Sequence, residues 1–143
     1  MRDPRLDKLA DVLVNYSTKV KPGQLVLIKG DPVAMPLIDA IFEQVIKAGG
    51  HPTLKLTPAS CQDIFMQDAN EDQLQYVSPL AMAEVEHIDA SIGIWADTNT
   101  KSATRLDPKR GALASAARKP VFEKFMKRAA AGNCCSMPVK LRS

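Results

Sequence analysis

Apolar positions along the chain follow two periods, and each marks a different kind of element. After Asp3-Pro4, the residues Leu6, Leu9, Ala10, Leu13 and Tyr16 recur at helical spacing. Pro4 costs nothing in a first turn, and Asp3 and Asp7 suit the positive end of the helix dipole, so a helix opens the chain. Lys21-Pro22-Gly23 is a turn signal that releases Gln24–Lys29, a compact apolar run bounded by glycines and read as a buried strand. Beyond Asp31-Pro32, Leu37, Ile38, Ile41, Phe42, Val45 and Ile46 share one helical face, with Asp39, Glu43, Gln44 and Lys47 opposite. Gly49-Gly50 supplies a left-handed stop, and Pro52–Leu56 reads as a second strand. Strand, helix and strand in so short a span make a βαβ unit with parallel strands.

The middle is helical and less regular. A short helix over Cys61–Gln67 is followed by Asn70 with Gln73 three residues on, a capping-box pattern. Pro79 begins another helix, with Leu80, Met82, Val85 and Ile88 as its apolar members. Ala90–Ala96 is the third strand, and it runs into the polar turn Asp97-Thr98-Asn99-Thr100. Asp107-Pro108 starts a helix that Pro120 is expected to interrupt, after which Phe122, Phe125, Met126 and Ala129 form a buried stripe closed by Gly132. From Asn133 onward no period is visible. The expected fold is α/β: a three-layer domain with a short, mainly parallel sheet and helices on both faces. It occupies residues 1–132, with strands near 24–29, 52–56 and 91–96 and an irregular tail over 133–143. Leu27, Ile28, Ile41, Phe42, Val45, Ile92, Ile94 and Phe122 are expected to be buried.

Composition leaves this picture in place. The chain has 143 residues, 45% hydrophobic and 24% charged, which suits one globular domain with a real core and excludes a disordered or collagen-like chain. Its apolar runs fall far short of a membrane span, and no signal peptide is recognisable, so a soluble, cytoplasmic protein is expected. Charge is unevenly placed. Residues 1–100 carry 8 Lys/Arg against 14 Asp/Glu, whereas residues 101–143 carry 11 against 2. A basic segment with Arg105, Lys109, Arg110, Arg118, Lys119, Lys124, Lys127 and Arg128 raises the alternative of a small nucleic-acid-binding protein. Without interleaved aromatics, the favoured reading is a solvated helix face meeting an acidic surface. Cys61 stands alone and Cys134-Cys135 are adjacent, so the three cysteines read as free thiols rather than a disulfide or metal framework.

Open α/β sheets bind ligands beyond the carboxyl ends of their strands, so the candidate chemistry lies first in the segments that follow them. Gly30-Asp31-Pro32-Val33-Ala34 has one glycine where a dinucleotide fingerprint needs three, so a plain strand-to-helix turn is the better reading. Asp97, Asn99 and Thr100 could contact a ligand, but such residues more often satisfy turn backbone. His51 and His87 sit at element ends. Glu84 lies three residues before His87, a spacing more typical of a solvated pair than of half a metal site. Cys61 precedes a helix with no nameable base. No catalytic, cofactor-binding or metal-ligating residue is assigned from this chemistry.

Several separated blocks do carry a resemblance. They are Asp3-Pro4-Arg5-Leu6-Asp7-Lys8-Leu9-Ala10, Leu13-Val14-Asn15-Tyr16-Ser17, Val20-Lys21-Pro22-Gly23 and Lys47-Ala48-Gly49-Gly50-His51-Pro52. Further along come Gln73-Leu74-Gln75-Tyr76-Val77, Glu86-His87-Ile88-Asp89-Ala90, Thr98-Asn99-Thr100 and Asp107-Pro108-Lys109-Arg110. In this order and spacing, from residue 3 to about 132, the chain resembles the first domain of the thermophilic metallo-aminopeptidase family, aminopeptidase T and aminopeptidase S type. The resemblance implies removal of N-terminal residues from peptides by a pair of divalent ions, zinc or cobalt, held by Glu, His and Asp in a later catalytic domain. None of those ligand positions matches a residue here, so none is carried over. The first domain is then expected to be inactive alone and to contribute a homo-dimer surface and walls of the active-site cavity. The chain's end, unlike the family's, points to a truncated or frame-shifted product with residues 133–143 out of register.

Overall fold

A computed structural model describes residues 3–96, 107–132 and 135–141. The opening helix α1 (Pro4–Asp11) starts at Asp3, whose carboxylate accepts the Arg5 backbone N–H at 2.9 Å. The Arg5 side chain bonds to the same carboxylate and holds it below the usual range. The helix continues as a π-helical turn over Val12–Ser17. Thr18 ends it, its Oγ1 donating to the Leu13 carbonyl at 2.8 Å, and Lys19 then turns the chain with φ of 50°.

Strand β1 (Leu25–Gly30) leads through a 3₁₀ turn, Pro32–Ala34, into α2 (Met35–Lys47) and back along β2 (His51–Leu56). The amino ends of β1 and β2 are folded tightly together. Gly49 has φ of 85°, and its carbonyl accepts the Gly23 N–H at 3.0 Å. A Cβ on Gly50 would lie 2.9 Å from Val20 Cγ1, so only glycine fits there without displacement. Helices α3 (Ala59–Asp68), α4 (Glu71–Gln75) and α5 (Pro79–His87) follow, and the capping box of Asn70 and Gln73 forms as the spacing predicts. Strand β3 (Ala90–Ala96), helix α6 (Pro108–Ala130) and strand β4 (Cys135–Leu141) complete the domain.

The sheet has four strands, all parallel, in the order β2-β1-β3-β4. The step from β1 to β2 runs one way across the sheet, and the steps to β3 and β4 run the other. Right-handed crossovers therefore place α2 on one face and α3–α6 on the opposite one. Packing agrees. Val26, Ile28, Ala90, Ile92 and Ile94 face Ala10, Val14, Leu37, Ile38, Ile41 and Val45 of the α1/α2 layer. On the other face Leu27 and Ile88 pack with Leu25 and Phe125. A satellite cluster of Ala69, Leu74 and Ala114 joins α3, α4 and α6. The three-layer α/β reading and its first three strands stand.

Three expectations need correction. Residues 135–141 form a strand and not an irregular tail, with Ala90–Ala96 of β3 paired to Cys135–Leu141. Cys135, Met137, Val139 and Leu141 do alternate with Ser136, Pro138 and Lys140, a strand period too short to stand out, and Pro138 is tolerated because β4 is an edge strand. Helix α6 also runs through Pro120 without a break. The lost bond to the Ala116 carbonyl is offset by anchors on both sides of it, Arg110 on α3 and Arg128 on α5. Finally, Phe122 is 61% exposed and Phe42 is 37% exposed, because α6 turns only Phe125 toward the sheet and Phe42 lies on the outer flank of α2. The other six expected core residues are buried.

This packing predicts that Ile92→Ala, which empties a fully buried position between two helices, lowers unfolding free energy by about 2–5 kcal/mol. Phe122→Ala should change it by no more than about 0.5 kcal/mol. Urea denaturation of the two variants beside the parent checks both; equal losses would contradict the packing.

Candidate functional site

The sheet order reverses between β1 and β3, and the crevice at their carboxyl ends is where a ligand would enter. On the β1 side stands Gly30-Asp31. The Asp31 carboxylate is fully engaged: Oδ1 accepts the Val33 N–H and Oδ2 the Ala59 N–H, each at 2.9 Å. One side chain thereby caps the 3₁₀ turn leading into α2 and the start of α3. A Cβ on Gly30 would lie 3.2 Å from Ile38 Cδ1, so this glycine serves the close approach of α2 to the sheet. The segment acts as a strand-to-helix turn, as its spacing suggests. Asp97, Asn99 and Thr100, on the β3 side, lie outside the described residues.

The titratable candidates do not converge. His51 is exposed at the start of β2, and its backbone N–H donates to the Gln24 carbonyl at 2.7 Å. His87 is exposed at the end of α5. Glu84 turns from His87 to Lys55 of β2, with Nζ 3.0 Å from Oε2. A divalent pair needs several carboxylate and imidazole donors around one point. Among the described residues no group of three or more His, Cys, Asp and Glu is so placed, and the chain has only two histidines. The described donor set does not fit the metal pair that the family resemblance implies.

Cys61 is an exposed free thiol at the lip of an open groove of about 700 Å³ between α3 and α4. Ile64, Phe65 and Tyr76 are among its apolar lining residues, and Asp68 and Asp72 among its acidic ones. Sequence periodicity missed this groove, because α3 shows no apolar stripe and buries none of its residues.

Three cations of the basic segment are engaged with other elements of the fold. Arg110 Nε and Nη2 donate to the carbonyls of Met66 and Ala69, at 2.9 and 2.6 Å, near the end of α3. Arg128 Nη1 donates to the carbonyls of Val85 and Ile88, each at 2.6 Å, at the end of α5. Lys124 pairs with Glu86. Arg110 and Arg128 thus neutralise the carbonyl ends of two helices, Lys124 meets an acidic residue of α5, and Lys119 pairs with Glu123 within α6 at 4.0 Å. Arg105 lies outside the described residues. No helix among the described residues is long and apolar enough to cross a membrane.

Arg110→Met should leave the Met66 and Ala69 carbonyls without their donor and cost about 1–3 kcal/mol of stability. Lys109→Met, on the same turn, should cost less than about 0.5 kcal/mol. Thermal denaturation of both variants tests this; equal effects would show that α6 is not docked through Arg110.

Comparison with known proteins gives the remaining observations. The family pattern of thermophilic metalloproteases (M29) matches residues 2–139, nearly the whole chain and well into β4. No curated protein sequence matches it. The fold is similar to that of wild-type AmpT from Thermus thermophilus, with a TM-score of 0.74 at 17% identity, over 94% of this chain and 36% of that one. The chain thus spans about a third of the length of that relative. Weaker likenesses are to CurK enoyl reductase, with a TM-score of 0.44 at 15% identity over 94% and 42% of the two chains. A ribose operon repressor protein from Lactobacillus acidophilus follows, with a TM-score of 0.38 at 15% identity over 95% and 58%.

Proposed function

The chain belongs to the thermophilic metalloprotease family M29, and from that premise we propose that it is the first, α/β domain of a metal-dependent aminopeptidase. In this reading it supplies a homo-dimerisation surface and a wall of the active-site cavity, and performs no peptide hydrolysis by itself. The observation that carries the proposal is the family match, which runs from residue 2 to residue 139 and so takes in β1–β3 and most of β4. Support also comes from the scattered positions of His51, Glu84 and His87, which serve element ends and a surface ion pair. Aminopeptidase chemistry needs a metal-activated water, a base, and an anchor for the free α-amine. The described residues offer no constellation that joins these roles, and no reaction step is assigned to this chain.

The domain is proposed to reach through β4, because that strand completes the sheet beside β3. Its partners in this reading are a second copy and, in the complete enzyme, peptide substrates. A cytoplasmic location is part of the same proposal.

Purified chain incubated with zinc or cobalt should release no amino acid from leucyl or arginyl test substrates. It should bind no divalent pair tightly by calorimetry. Metal-dependent turnover that follows the protein through every purification step would overturn the proposal.

A further inference from the structure

Charge is separated across the outer helical layer. Residues 56–100 hold eight Asp and Glu and no Lys or Arg, whereas α6 holds seven Lys and Arg against Glu123 alone. Part of that difference is met inside the fold, by Lys124 with Glu86 and by Arg110 and Arg128 on helix carbonyls. The remainder gathers on two exposed surfaces of the same layer.

The first is the groove between α3 and α4. Ile64 and Tyr76 are 59% and 66% exposed there, Phe65 is exposed with them, and no residue of α3 is buried. Asp68 and Asp72 line the same groove and make no ion pair with another described residue. Asp68 is the last residue of α3, at the end of the helix where the dipole disfavours a carboxylate. Arg110 reaches this end but gives its donors to the Met66 and Ala69 carbonyls. Carboxylates kept beside uncovered aromatic rings suit a partner that is cationic and apolar at once.

The second surface has that chemistry. Arg118, Phe122 and Met126 recur at four-residue spacing along one face of α6, and all three are exposed. Arg118 makes no ion pair with another described residue, and with Phe122 it lines a hollow of about 450 Å³. Lys119 adjoins it, with Glu123 of its own helix at 4.0 Å.

We propose that the α3/α4 groove of one copy takes the Arg118–Phe122–Met126 stripe of α6 from a second copy. Phe122 packs against Ile64, Phe65 and Tyr76, and Arg118 meets Asp68 and Asp72. The occupant follows from the two surfaces themselves. One exposes carboxylates without cations, the other cations in excess, and the apolar side chains of both would shield the charge pair from water. Both surfaces belong to the α3–α6 layer, so a two-fold axis between them lets each groove take the other copy's stripe. That arrangement is closed, whereas a head-to-tail contact would leave one groove and one stripe free. The inference rests on the homo-dimerisation reading above for its role, and it gives that surface a place.

Exchanging charge between the surfaces tests the contact. Asp68→Lys with Asp72→Lys makes a chain with two basic surfaces, and Arg118→Glu with Lys119→Glu one with two acidic surfaces. Each alone should sediment as a monomer at concentrations where the parent is a dimer. Mixed in equal amounts they should associate again, because every acidic surface then finds a basic one. Phe122→Ala gives a second reading that does not depend on the reversed chains, and it should weaken self-association of the chain at least about tenfold. A dimer that survives both reversals and Phe122→Ala would overturn this contact and leave the homo-dimerisation reading standing. So would reversed chains that melt like the parent yet stay apart when mixed. A parent that sediments as a monomer at every concentration would overturn both.

Discussion

Val26 and Ile28 of β1 and Ala90, Ile92 and Ile94 of β3 form a continuous apolar surface, and α1 and α2 close over it. Nearly all of these residues are fully buried. At about 25 cal/mol per Å² of apolar area, this contact is the largest favourable contribution in the domain. Other features depend on it. The tight turns at Gly23 and Gly49 exist to bring the two ends of the β1–α2–β2 unit together above it. Gly30 and Gly50 allow backbone to approach Ile38 and Val20 without a side chain between. Asp31 sets where α2 and α3 begin relative to the strand that ends beside it.

The opposite face is built on a different principle. Its apolar contact is small, Leu27 and Ile88 with Leu25 and Phe125, and polar bonds carry much of the docking. Arg110 and Arg128 reach from α6 to carbonyls at the ends of α3 and α5. Asp89 accepts the Leu25 N–H at 2.9 Å and fixes the start of β3 beside β1. Hydrogen bonds from a charged donor to otherwise orphan carbonyls are stronger than neutral ones, which suits a layer with few buried side chains. The same bonds hold the two halves of α6 on either side of Pro120.

The uneven layers bear on how the domain meets others. The α1/α2 layer is closed against the sheet, whereas β2 is an edge strand among the described residues and leaves Leu54 and Leu56 exposed. The candidate chemistry of the turn residues dissolves into local structure: Asp31 caps helices, and Glu84 binds Lys55.

Much of the architecture is legible in the sequence, because it rests on local signals. The periods of Leu37–Ile46 and of Gln24–Lys29, the caps at Asp3, Asn70 and Asp107, and the glycines at 23, 49 and 132 each act within a few residues of chain. Parallel pairing and the α/β class then follow from the short βαβ span. What the sequence could not decide is whatever depends on residues far apart along it. Pro120 marks a break by its local chemistry, yet distant carbonyls hold the helix together. Phe122 and Phe125 look alike in a helical pattern, and only the placement of α6 against Leu27 chooses which is covered. The short apolar alternation over 135–141 does not mark a strand by itself, and pairing with β3 makes it one. The use of two basic residues was hidden for the same reason: a local charge run shows a surplus, and only packing shows that Arg110 and Arg128 end on carbonyls at the ends of α3 and α5.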